Sequence, residues 1–262
     1  MTDHRSATAA KATELLRLHQ DPELLTVVNV WDAISAKVVS DVPGTKALAT
    51  ASHSIAATLG HEDGEQIPLD EMLDMVGRIV RATDLPVTAD LEGGYGDAPA
   101  TIRRAIDLGV VGANLEDQLK PLAEAARQVE DVVRVVDQAG IDFVLNARTD
   151  VFLRAGDRDR GEVLADATER CRAFLDAGAP VVFVPGFLDE AEVAHLVDAL
   201  GPQRLTLIGL PGHPPLARLA ELGVARVSFG PVPQNVALTA LQKMVEDVHR
   251  GGTAPEDTRR LN

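Results

Sequence analysis

The feature that most constrains this chain is an alternation. Eight short apolar runs of strand length, LLTVVNV (24–30), KALAT (46–50), LPVTAD (85–90), VVGANLE (110–116), DFVLNAR (142–148), PVVFVPG (180–186), RLTLIGL (204–210) and ARVSFG (225–230), are each followed by a stretch with helical patterning. Apolar strands separated by helices belong to parallel sheets, because each crossover helix covers a face of the sheet. Glycines 109, 140, 178 and 223 stand where a helix should stop before the next strand. Eight such units fit an α/β fold of the (β/α)8 TIM-barrel type. The alternative, a doubly wound open sheet, usually has fewer strands and opens with a glycine-rich fingerprint that is absent after the first run. Residues 5–19 and 235–250 read as extra helices at the two ends. The whole chain, 1–262, reads as a single barrel domain with 251–262 a loose, flexible polar tail.

Charge narrows the partners. The chain has 40 acidic against 25 basic side chains, a formal charge of −15, which repels phosphate backbones and anionic membrane surfaces. No nucleic acid and no membrane partner is expected. The single cysteine, Cys171, excludes a disulfide framework and a cysteine zinc site, and it fits a reducing compartment. The N-terminus is charged throughout and no apolar run is long enough to span a bilayer, so the expected location is cytoplasmic.

A barrel places its chemistry at the C-terminal strand ends, and polar residues collect there. They include Asn29, Trp31 and Asp32; Thr50, Ser52 and His53; Asp90 and Glu92; Asn114, Glu116 and Asp117; Asn146, Arg148 and Asp150; then Gly186, His213 and Ser228. Asp90 and Glu92 are two apart, so they share a side if the strand persists, and Glu116 ends the next strand. Close carboxylates repel unless a cation sits among them. An oxygen-only set suits a hard ion, Mg²⁺ first and Mn²⁺ as a possibility. The competing reading is of solvated loop carboxylates. Arg148 offers a planar fork to a substrate carboxylate; its competing reading is a salt bridge to Asp150 or another neighbouring acid. Backbone N–H groups and hydroxyls of TASHS (50–54) add anion donors.

Six segments in order, NVWDAISA (29–36), TASHSIAATLGHED (50–63), TADLEGGYGD (88–97), GVVGANLEDQ (109–118), FVLNARTDVFL (143–153) and ELGVARVSFG (221–230), resemble the isocitrate lyase and phosphoenolpyruvate mutase superfamily over about residues 15–245. The resemblance implies a barrel whose Mg²⁺ binds an α-oxo acid or its enolate. It places Asp90 nearest the metal, with Glu92, Glu116 and Asp63 reaching it through water. Arg148 takes the place of the substrate-gripping arginine. Trp31, Thr50, Ala51 and Ser52 form the wall that holds the oxo-acid carboxylate, and Tyr95 the aromatic after the glycines. Arg148, Glu116 and Asp63 thereby carry the catalytic roles.

The departures bear on mechanism. Isocitrate and methylisocitrate lyases carry a lysine- and cysteine-rich loop after the fourth strand; here EDQLKPLAEAARQ (116–128) is short and has no cysteine, and Cys171 falls in a predicted helix. The asparagine-rich gate of phosphoenolpyruvate mutase is absent too, and Gly186 stands where several relatives have a glutamate or histidine. The resemblance then implies a Mg²⁺-dependent carbon–carbon lyase acting on a small oxo or hydroxy carboxylic acid, in an oxaloacetate decarboxylase-like branch. A phosphoenolpyruvate mutase- or phosphonopyruvate hydrolase-like enzyme and an inactive binding barrel are the alternatives. An open-sheet dinucleotide or nucleotide-sugar enzyme is disfavoured, because the glycines of DLEGGYGD follow acids that repel a pyrophosphate. His53, His61, His213 or a water held by Glu116 could move the proton. By analogy the chain forms a homotetramer or homodimer, its C-terminal helix swapped onto a neighbouring barrel.

Overall fold

The structure, a computed structural model, describes residues 2–261. Eight strands form inside the eight apolar runs: β1 (Leu25–Val30), β2 (Leu48–Thr50), β3 (Val87–Asp90), β4 (Gly112–Glu116), β5 (Val144–Arg148), β6 (Val181–Val184), β7 (Leu205–Ile208) and β8 (Arg226–Ser228). Every neighbouring pair is parallel. The sheet closes in sequence order, with β8 returning to β1 through Leu25↔Arg226 and Val27↔Ser228. The open-sheet alternative is thereby excluded.

The helices are α1 (Thr2–Gln20), α2 (Ala33–Ser40), α3 (Ser52–Thr58), α4 (Leu69–Arg81), α5 (Ala98–Asp107), α6 (Leu122–Ala139), α7 (Arg160–Asp176), α8 (Glu190–Leu200), α9 (Leu216–Leu222) and α10 (Val232–His249). Two details differ from the simple alternation. The connection after β2 holds two helices, α3 and α4, separated by the loop 59–68. The C-terminal helix α10 begins four residues after β8 ends, in the helix position of the eighth unit, yet Gln234 is its only buried residue.

Sequence dictates these elements locally. In α4, Met72, Leu73, Val76 and Ile79 recur at helical spacing and are buried, while Asp70 and Glu71 open the helix and Arg78 and Arg81 close it, each charge complementing the nearby end of the helix dipole. Burial of each such aliphatic side chain contributes roughly 1.5–3 kcal/mol. Gly140 and Gly223 end α6 and α9 in the left-handed conformation, where a side chain would be disfavoured.

The main core lies between the strands and the outer helices. A second cluster seals the N-terminal end of the barrel: Ala12, Leu15 and Leu18 of α1 pack on Leu25, Ala47, Val111, Val144, Val181 and Ala225 around the strand starts. The extra N-terminal helix is therefore a floor, which leaves the C-terminal rim as the face open to chemistry. No helix of the described residues is long and apolar enough to cross a membrane.

Candidate active site

Asp90, the last residue of β3, is tied to β2 by its N–H, which donates to Thr50 Oγ1 at 2.9 Å. Its Oδ2 accepts from the Ser52 hydroxyl at 2.9 Å and from the Ser52 N–H at 3.4 Å. Its Oδ1 is buried and has no hydrogen-bond partner among the described residues. A buried carboxylate oxygen with no donor is costly unless a cation meets it. Around it, Thr50 and Ala51 are buried, the Thr50 carbonyl accepts from Asn29 Nδ2 at 2.8 Å, and Trp31 packs half-buried against the core just past β1.

Glu92 reaches this place by a different route from the one its spacing suggests. The strand ends at Asp90, Leu91 turns into the core, and Glu92 itself has φ 52°, so alternation along a strand no longer sets its direction. Its carboxylate is buried, accepting the backbone N–H of Glu65 and, at 2.9 Å, the hydroxyl of Tyr95. The Tyr95 N–H donates in turn to Glu65 Oε1 at 2.6 Å. Glu65 is a residue that sequence reasoning missed, since nothing in GHEDGEQIP (60–68) sets it apart from its acidic neighbours. Asp63 sits in the same loop, its side chain 48% exposed, 3.6 Å from His53 Nδ1 and 3.3 Å from the Ser52 hydroxyl.

Glu116 and Arg148 are register partners across β4 and β5. Arg148 Nη2 lies 3.0 Å from Glu116 Oε2, and its Nε donates to Asp150 Oδ1 at 2.7 Å, with the side chain 16% exposed. The ion-pair reading of this arginine holds, and the pair stands at the rim. Burial pushes the Glu116 carboxyl up to about 7 against the pull of Arg148, with Asp150, Asp90 and Glu92 adding to the rise. Burial likewise takes Glu92 to about 7, opposed by its bonds from Tyr95 and Glu65 and reinforced by Asp63 and Asp90.

The expected metal ligands Asp90, Glu92, Glu116 and Asp63 thus share one rim, but they are not gathered into a ligand shell. Among the described residues no three acidic, histidine or cysteine side chains are grouped closely enough to hold a metal ion. The physical reason is that each carboxylate has its own partner, Ser52, Tyr95 with Glu65, Arg148 or His53, which separates like charges. The donors are nevertheless of the right chemistry. An orphaned Asp90 oxygen beside buried, mutually repelling carboxyls fits a hard divalent cation.

Other polar strand-end residues brace the rim. Asp117 accepts from the N–H groups of Leu119 and Asp150 and pairs with Arg170 at 3.0 Å. His213 stacks edge-on against Phe187 with ring centroids 5.1 Å apart, and burial lowers its pKa. Cys171 is buried in α7, where burial pushes its thiol up. Below the rim the barrel interior is polar. Asn114 Oδ1 accepts from Asn146 Nδ2 at 2.8 Å and from Arg226 Nη2 at 3.3 Å, and Asn146 Oδ1 accepts from Thr206 at 2.9 Å. Arg226 is completely buried, and its Nε and Nη1 have no partner among the described residues.

Residues 15–249 match the family model described as phosphoenolpyruvate phosphomutase. The chain belongs to this family. Among this family member's relatives, the oxaloacetate decarboxylase of Pseudomonas aeruginosa is 31% identical over 237 residues, covering 88% of this chain and 82% of the relative. The 2,3-dimethylmalate lyase of Eubacterium barkeri is 27% identical over 253 residues, covering 91% and 84%. A Burkholderia cenocepacia crystal structure provisionally described as a phosphonomutase superposes with a TM-score of 0.85 at 43% identity, covering 90% of this chain and 99% of that one. The phosphoenolpyruvate mutase and isocitrate lyase superfamily suggested by the six motifs is therefore the right one.

Proposed function

We propose that this family member is a Mg²⁺-dependent carbon–carbon lyase acting on a small di- or tricarboxylic acid with an oxo or hydroxy group, by way of a pyruvate-enolate-like species. The observation that carries this reading is the buried, partnerless Oδ1 of Asp90 within electrostatic reach of Glu92, Glu116 and Arg148. Asp90 would hold the cation, with Glu92, Glu116 and Asp63 about it; when bound, Mg²⁺ supplies Lewis-acid polarisation of the substrate's oxo group.

The chain's own residues do the rest. Two of the five N–H groups of Arg148 are committed to Glu116 and Asp150. The remainder are left to grip a substrate carboxylate, while Trp31, Thr50, Ala51 and Ser52 wall its far side. Glu116, whose carboxyl burial pushes upward, can hold or move a proton at its Oε1 or through a water. Tyr95 holds Glu92 in place by its hydroxyl bond. The relatives named for oxaloacetate and dimethylmalate favour C–C cleavage, whereas the Burkholderia structure favours a second reading, cleavage or rearrangement of a P–C bond.

Assay of 2-oxo and 2-hydroxy diacids and of phosphonopyruvate, each with and without EDTA, decides between them. We expect EDTA-sensitive pyruvate release from a diacid. Turnover of phosphonopyruvate alone would select the second reading, and no metal-dependent turnover of any would remove both. We further propose a homo-oligomer in which α10, whose Val236, Leu238, Leu241, Val245 and Val248 are exposed, packs on a neighbouring barrel. A monomer mass by light scattering would remove that proposal.

A further inference from the structure

Among the described residues, six that are not glycine have positive φ: Glu65, Glu92, Tyr95, Gln118, Leu119 and Gln203. The first five lie in just three loops, those that follow α3, β3 and β4. Left-handed backbone is disfavoured for residues with side chains and persists where the surroundings over-determine it. The bonds that do so meet at one residue. Glu65 donates its N–H to Glu92 Oε2, accepts the Tyr95 N–H on Oε1 at 2.6 Å, and accepts Gln118 Nε2 on Oε2 at 3.4 Å. Glu92 closes the ring by accepting the Tyr95 hydroxyl on its own Oε1 at 2.9 Å. Behind this ring the Gln118 amide lies against Gly93, where a Cβ would collide with it, and the Gly93 carbonyl accepts from Gln128 Nε2 at 3.2 Å.

We infer that Glu65 is a positioning residue, a latch that joins the three acidic-side loops and sets Glu92 and Tyr95 at the rim without itself touching substrate. Each loop uses Glu65 differently. The loop after β3 needs both its N–H and its carboxylate, while the turn after β4 needs the carboxylate alone. Removing the carboxylate therefore leaves Glu92 with its partner from the Glu65 backbone but frees Tyr95, whose hydroxyl is the other half of what orients Glu92. The catalytic consequence rests on the function proposed above; the latch itself does not.

Hydrogen exchange on the full-length protein tests it directly. In Glu65→Ala, amides of 91–97 and of 116–120 should exchange about tenfold faster or more, the loss expected for hydrogen bonds to a charged group, while the strands keep their protection. Glu65→Gln keeps an acceptor for Tyr95 but sets amide against amide at Gln118, so only 116–120 should loosen; adding Gln118→Glu should restore it. Unchanged exchange in Glu65→Ala, or failure of the reciprocal pair to restore 116–120, overturns the latch. If the alanine variant does not fold, the glutamine pair decides. As a second measure, calorimetry with Mg²⁺ should give about tenfold weaker binding in Glu65→Ala, the usual effect of a residue behind a ligand. A wild-type protein that binds no Mg²⁺ refutes the proposed function and leaves the exchange result to judge the latch.

Discussion

At the rim, Glu92 and Glu116 are buried carboxyls raised to about 7, and Arg148 is shared between Glu116 and Asp150. Toward the floor the signs reverse. Arg226 is a wholly buried cation that burial lowers to about 10, with Asp90 pulling the other way. His19, buried beside it, is held down at about 3 by burial and by Arg226. The rim thus gathers negative charge that wants a cation from solution, while the floor holds a positive charge that no solute can reach. The difference is one of access. Charge at an open face is able to meet an ion from solution, whereas charge sealed under α1 acts only as a fixed field on Asp90.

The largest test of that distinction is to remove a charge from the rim. Asp90→Ala should abolish Mg²⁺ binding in calorimetry, whereas Arg148→Ala should keep it and lose substrate turnover, by about a hundredfold or more for a lost charged contact. Equal loss of metal in both variants would mean that the rim has no division of labour.

The next effect belongs to the floor. His19 Nδ1 sits 2.8 Å from the Leu15 carbonyl, which fixes the neutral tautomer with its proton on Nδ1. Its folded pKa lies below its unfolded value, so the unfolded chain binds more protons between about 3 and 6.5, and stability falls as pH falls through that window. The loss is about 1.4 kcal/mol per unit, on the order of 5 kcal/mol in all. Denaturant titrations of His19→Gln across pH 3–7 should lack this loss; an unchanged slope would place His19's proton elsewhere.

Glu116 works in the opposite direction and more weakly. Its folded pKa of about 7 lies above the unfolded 4.5, so the folded state holds the proton more tightly and stability falls as pH rises between those values. With no divalent cation added, this costs about 3 kcal/mol by pH 7.5, and Glu116→Gln should flatten that part of the pH profile. A wild-type profile with no fall between pH 5 and 7.5 would show that Arg148 already compensates Glu116.

The rim was largely legible in the sequence, and the floor was not. Asp90, Glu116 and Arg148 end apolar runs, so alternation and the barrel rule place them together. Glu92 comes to the rim by a route alternation does not describe, because a strand of four residues stops before reaching it. Arg226 is the second residue of the run ARVSFG and His19 falls at the end of the predicted helix 5–19, and nothing in either stretch marks them as buried; only closure of β8 onto β1, with α1 across the floor, buries both. Glu65 could not be found from spacing at all. Its role is fixed by the left-handed turn at Tyr95 and by Gln118, which lies 53 residues further along.

The chain has one tryptophan and one tyrosine, and both, Trp31 past β1 and Tyr95 past β3, stand half-buried at the rim. Near-ultraviolet absorption and fluorescence of this protein therefore come almost entirely from the region where a ligand would enter, against a body that is optically silent. Occupancy of the mouth can be followed in the unlabelled protein, without a coupled enzyme and before any substrate is known.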